Sequence, residues 1–194
     1  MSRVFPEIPE TSPAFPRVSG ACYDGDDPKM MPITIRLGIL TVSDKGAAGE
    51  RQDTSGAAIR EVLASLDVSV ERYEIVPDEV DAIASVLRRW ADEDKLDVVF
   101  TTGGTGFDPR DVTPEATLVV VDRLTPGLAE AMRLEGLRHT PNAMLSRATA
   151  GLRGKTIIVN LPGSERAVRE SLACLAPVLE HAVRTARGRY GDHA

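Results

Sequence analysis

Two periods of apolar residues run through this chain in turn. Ile35 to Val42 is a continuous run of Ile, Leu and Val interrupted by few polar residues, and it predicts a strand. Ser55 to Leu66 puts Ile59, Val62, Leu63 and Leu66 on one helical face. Val68 to Val76 predicts a second strand. Glu79 to Asp94 carries Val80, Ile83, Ala84, Leu87, Trp90 and Ala91 at the helical period. Leu96 to Thr101 is apolar on both faces, as in the middle of a parallel sheet. Thr113 and Pro114 read as the N-cap and first residue of another helix, and Gly127 to Leu137 as a further one. Ser146 to Ala150 and Lys155 to Val159 predict two short strands joined by a turn at Arg153-Gly154. Ser164 is expected to cap a final helix that Pro177 kinks or divides.

This alternation predicts a single α/β domain over residues 33–188. Its expected architecture is a three-layer α/β/α sandwich with a mostly parallel sheet and a small β-hairpin extension. Residues 1–32 show neither period and are punctuated by Pro6, Pro9, Pro13, Pro16, Pro28 and Pro32. They read as an extended, partly disordered tail, or as a segment that pads a neighbouring subunit through Val4, Phe5, Ile8 and Phe15. Residues 189–194 form a short C-terminal tail.

Composition narrows the function classes. With aromatics at only 4% and a net charge of -6, neither a base-stacking platform nor a basic phosphate-tracking surface is expected, so nucleic acid is not an expected partner. Cys22 and Cys174 form no ligand-spaced motif, and Cys174 reads as a small buried hydrophobe. No apolar run is long enough to span a membrane, and no basic segment followed by an apolar core marks the N-terminus, so the expected location is the cytoplasm.

The candidate chemistry lies at strand ends. In open α/β sheets ligands bind outside the carboxyl ends of the strands. Four loops leave such ends: 41–45, 76–79, 101–106 and 160–164. In the third, Gly103, Gly104 and Gly106 permit left-handed backbone and close ligand approach, and Thr101, Thr102 and Thr105 add hydroxyls, which together suggest an anion cradle. It is neither a P-loop nor a dinucleotide fingerprint. Asp78 and Asp111 each precede a helix, and taken singly each reads as a cap, Asp78 with Asp81 in a capping-box spacing. Taken together at one rim beside a phosphate cradle, they suit Mg²⁺, which takes hard oxygen ligands from few protein groups and the rest from phosphate and water. Arg110 either steadies a phosphate or is solvated. Ser43 and Asp44 sit at the end of the first strand, and Asp53 and Ser55 lead into the first helix; they either bind or leave only a helix start that Thr54 or Ser55 would cap. Asn160, Pro162 and Gly163 either line a nucleotide pocket or only make a turn. No histidine is assigned a catalytic role.

The segment Thr-Thr-Gly-Gly-Thr-Gly-Phe-Asp-Pro-Arg-Asp-Val-Thr-Pro-Glu-Ala-Thr at 101–117 resembles the molybdopterin adenylyltransferase family, which includes gephyrin-like G domains. Supporting segments lie at 38–44, 53–56, 75–79, 126–132, 145–151 and 160–164, so the resemblance runs from about Ile35 to about Arg187. It implies transfer of AMP from ATP to the phosphate of molybdopterin with release of pyrophosphate and with Mg²⁺ bound. It implies Asp78 and Asp111 as the essential acids and Mg²⁺ ligands. The implied substrate contacts are Ser43, Asp44, Asp53, Ser55, Gly103, Gly104, Thr105, Gly106, Arg110, Ser146, Asn160, Pro162 and Gly163. A homotrimer or hexamer and contact with a molybdate-inserting protein are also implied. A sister group, cofactor biosynthesis protein B, shares the fold, and some of its members lack one or both acids. A non-catalytic pterin binder or scaffold is therefore the alternative. A third reading, an α/β phosphate hydrolase, has no nucleophile motif behind it.

Overall fold

The structure is a computed structural model that describes residues 33–188. The expectations for residues 1–32 and 189–194, including Cys22 and His193, lie outside the described residues. Strand β1 (Ile35–Val42) pairs in parallel with β2 (Val68–Val76) on one side and β3 (Val98–Thr102) on the other. Strand β6 (Thr156–Leu161) pairs in parallel with β3. β5 (Ala150–Arg153) and β4 (Arg123–Leu124) extend that edge antiparallel, giving the order β2-β1-β3-β6-β5-β4.

Alternate strand residues face two different cores. Leu37, Ile39, Phe100 and Val159 pack against α2 (Thr54–Val62), α5 (Pro126–Leu137) and α6 (Glu165–Ala186). Leu40, Val99 and Ile158 pack against α3 (Val80–Asp92) and α4 (Thr113–Leu118). The central strands are therefore covered on both faces, as their unbroken apolar character requires, and the three layers and hairpin edge expected above are present.

Several local expectations are corrected. The helix α2 is capped by Asp53, whose carboxylate accepts from the amides of Ser55 and Gly56, because only its side chain reaches back over the first turn. Thr113 is not a cap either. It lies inside α4, after Val112, and its hydroxyl donates to the Gly103 carbonyl. Residues 146–149 do not form a strand. That stretch lies against the glycine loop and β6, with the Arg147 amide on the Thr105 carbonyl and the Thr149 amide on the Asn160 side chain. Pro177 does not divide α6, which runs on through it. The four-residue helix α1 (Asp44–Ala47) and strand β4 had no counterpart in the sequence pattern.

Candidate functional site

The four parallel strands deliver their following loops to one rim, and a polar cavity of about 420 Å³ opens there. Each of the four loops lines it: Thr41 to Ser43 after β1, Asp78 after β2, Thr102 to Gly104 with Asp111 after β3, and Gly163 with Ser164 after β6. Asp53, Thr54 and Ser55 at the start of α2 close the remaining wall.

The glycine loop keeps its carbonyls turned into the protein. The Gly103 and Gly104 carbonyls accept from the hydroxyl and amide of Thr113, and those of Thr105 and Gly106 accept from the amide and Nε of Arg147. Among the described residues no acceptor takes the amides of Gly104, Thr105 or Gly106. Gly103 and Gly104 have φ of 102° and 62°, a conformation a side chain strains to adopt. Gly106 is needed for space: a Cβ there would lie 2.7 Å from Asp111 Oδ2. A Cβ on Gly104 would lie 3.0 Å from Asp78 Oδ1. The two acids therefore rest against the same loop, each at a glycine.

Asp78 is not the cap of α3. Glu79 occupies that position, and the Asp78 carboxylate turns instead to accept the Asp44 amide at 2.9 Å, while the Asp78 amide donates to Asp44 Oδ1 at 3.0 Å. Burial pushes the Asp78 carboxyl above its ordinary range, the charges of Asp44 and Asp111 add to the rise, and the Asp44 amide and Arg110 partly offset it. Asp44 is held below its ordinary range by hydrogen bonds from the Arg110 guanidinium and from the Asp78 amide. Arg110 donates to both Asp44 oxygens, at 3.1 and 2.8 Å, so its guanidinium is engaged by a carboxylate and not freely solvated.

Asp53 is satisfied on both oxygens, which also accept the Thr41 hydroxyl at 2.6 Å and the Tyr73 hydroxyl at 2.7 Å. The Ser55 hydroxyl donates to the Gly163 carbonyl and ties α2 to the β6 loop. Ser43 caps α1 by accepting the Gly46 amide. Thr105, Gly106, Ser146 and Pro162 line a neighbouring, mainly apolar cavity of about 250 Å³, together with Met132 and Leu145. The two cavities share the glycine loop as a wall. Asn160 reaches neither. It is fully buried, and its amide donates to the hydroxyls of Thr101 and Thr117 and accepts the Thr149 amide. The Thr102 hydroxyl is likewise spent, on the Pro162 carbonyl.

Two residues escaped the sequence reading. Tyr73 gave no signal beyond strand periodicity. Arg147 lay within one of the resembling segments, but its partners Thr105, Gly106, Asp111 and Glu115 are 32 to 42 residues away, beyond the reach of local spacing.

A mostly parallel α/β sheet carries a glycine loop flanked by Asp78 and Asp111 at its carboxyl rim, and the chain belongs to the family described as "Probable molybdopterin binding domain", whose model matches residues 38–181. It is 44% identical over 159 residues to a molybdopterin adenylyltransferase of Helicobacter pylori, covering 81% of this chain and 90% of that protein. A molybdopterin adenylyltransferase of Escherichia coli K12 is 40% identical over 141 residues, with 72% of each chain covered. Among solved structures, the molybdopterin biosynthesis enzyme MoaB of Thermus thermophilus superposes with a TM-score of 0.77 at 59% identity, covering 80% of this chain and 98% of that one.

Proposed function

We propose that this protein is a molybdopterin adenylyltransferase. A phosphate oxygen of molybdopterin attacks the α-phosphorus of ATP, the bond to the β-phosphate oxygen breaks, and pyrophosphate leaves. The observation that carries this reading is the pair of acids, Asp78 and Asp111, resting against one glycine loop whose free amides border the same rim.

The loop amides of Gly104, Thr105 and Gly106 would hold phosphate oxygens through an anion nest, whereas the first amides of α2 at the opposite wall are already taken by the Asp53 carboxylate. The catalysis available here is therefore positioning and preset electrostatics. The neighbouring apolar cavity suits a flat heterocycle, which would let one bound substrate lie across the shared wall. Arg110 stays on Asp44 in this reading and limits the negative charge near Asp78.

The donor set fits magnesium. The described residues hold no cluster of three acidic, His or Cys side chains able to bind an ion unaided, whereas two carboxylates with substrate phosphate oxygens make the partial shell that Mg²⁺ accepts. Asp78 and Asp111 would hold it, and it would offset charge on the triphosphate and leaving group.

Among the described residues no helix is long and apolar enough to cross a membrane, and a cytoplasmic enzyme is proposed. A homotrimer or hexamer that hands its product to a molybdate-inserting protein is the proposed assembly. The exposed apolar residues Leu118 and Val119 at the end of α4 and Leu124 on the edge strand β4 support self-association. The alternative reading is a pterin binder or scaffold of the same pathway. Purified protein with molybdopterin, ATP and Mg²⁺ separates the two: formation of adenylylated pterin supports the transferase, and pterin binding without ATP consumption supports the binder.

A further inference from the structure

Arg147 emerges from the extended stretch before β5 and gathers three parts of the glycine loop at once. Its amide donates to the Thr105 carbonyl at 2.9 Å, its Nε donates to the Gly106 carbonyl at 2.7 Å, and a terminal nitrogen donates to the Asp111 carbonyl. The other terminal nitrogen pairs with Glu115 in the first turn of α4. Apart from the Arg110 side chain, which reaches Asp44, the chain between Gly106 and Asp111 otherwise closes on itself. The Asp111 amide donates to the Asp108 carbonyl at 2.8 Å, and the Asp108 amide donates to Asp111 Oδ2 at 3.0 Å. Both ends of this small turn are thus held by one guanidinium, and the Asp111 carboxylate is placed by the turn.

We propose that Arg147 is a positioning residue for Asp111, fixing the carboxylate against Gly106 by bridging the Gly106 and Asp111 carbonyls. This rests on the reading of Asp111 as an acid that holds Mg²⁺ with ATP. The role is geometric more than electrostatic, because Glu115 balances the Arg147 charge beside it. A planar fork of donors can span two carbonyls, and a lysine ammonium with the same charge cannot reproduce that geometry.

The test compares Arg147→Lys, Arg147→Ala and Asp111→Asn with the wild type. Each is assayed for AMP transfer across a Mg²⁺ titration, for pterin binding, for thermal melting, and for Mn²⁺ binding by electron paramagnetic resonance with a non-hydrolysable ATP analogue. Both Arg147 variants should lower kcat and weaken Mn²⁺ binding by about 10- to 100-fold, with pterin affinity within about two-fold of wild type. Guanidinium ion below denaturing concentration should restore turnover to Arg147→Ala and not to Asp111→Asn. Full activity of Asp111→Asn would overturn both this role and the underlying reading of the site. An inactive Asp111→Asn beside an Arg147→Lys with wild-type kcat and Mn²⁺ affinity would overturn the positioning role alone. So would an Arg147→Lys in which only the melting temperature falls.

Discussion

Asp53 receives four hydrogen bonds on one carboxylate, and their balance sets how this corner of the protein responds to pH. Burial pushes its carboxyl up, but the bonds from Thr41, Gly56, Tyr73 and Ser55 outweigh burial and hold it below the ordinary value. Its stabilisation is therefore complete above the unfolded value of about 4 and is lost as pH falls through the lower folded value. Tyr73 behaves oppositely. Burial and the adjoining Asp53 push its hydroxyl up to about 12. Its stabilisation is complete below the unfolded value of about 10 and is lost between there and about 12. Tyr73→Phe should therefore flatten the alkaline loss of stability seen in urea unfolding and lessen the acid loss as well, since Asp53 forfeits a donor. An alkaline loss identical in both proteins would refute the assignment. Gly38 makes a separate test of packing. A Cβ there would lie 2.7 Å from both the Trp90 ring and Leu96, in a fully buried cluster. Gly38→Ala should cost about 1–3 kcal/mol by overpacking, measured by urea denaturation at neutral pH.

At the end remote from the site one acid joins two strands and a helix. Asp97, at the start of β3, accepts the Arg36 amide on Oδ2 and the Arg187 guanidinium on both oxygens, which fastens the end of α6 to the sheet. The pair is largely buried, with side-chain exposures of 19% for Arg187 and 9% for Asp97. Asp97→Ala strands the guanidinium and should destabilise the protein by about 3 kcal/mol in denaturant titrations. Turnover below the melting transition should be unchanged, because the site lies at the opposite ends of the strands. The elements with strong apolar patterns, such as β1 and α3, were legible from apolar spacing because burial dictates their pattern. The final helix was legible except at Pro177. The proline removes a donor to the Ala173 carbonyl, yet Leu172, Leu175, Leu179 and Val183 bury a stripe on both sides of it and keep the helix whole. Stretch 146–149 was misread as a strand because its extended backbone is stabilised by the glycine loop and by the Asn160 side chain, a dependence that spacing does not reveal.

The site exists because the order of strands brings four loops to one rim. Asp78 and Asp111 were legible as a pair for that reason: both follow strands of a parallel sheet, so topology brings them together although 33 residues of sequence separate them. The helix-cap role that each could have played singly is refuted for Asp78 by the position of Glu79. Asn160 was misjudged because strand-end position does not reveal that a side chain points into the core. Charge completes the account. The chain has a net charge of -6, and its cavity is lined by three aspartates, Asp53, Asp78 and Asp111, against one arginine, Arg51, so a triphosphate needs compensation from loop amides and a divalent cation. Adenylylated molybdopterin and pyrophosphate should therefore be followed together, in wild type, Asp78→Asn and Asp111→Asn, with Mg²⁺ and with a chelator. The wild type should form both products only with Mg²⁺, and each variant should lose at least about 100-fold in turnover while still binding the pterin. Wild-type turnover in Asp111→Asn, or product formation in the presence of the chelator, would contradict the proposed site.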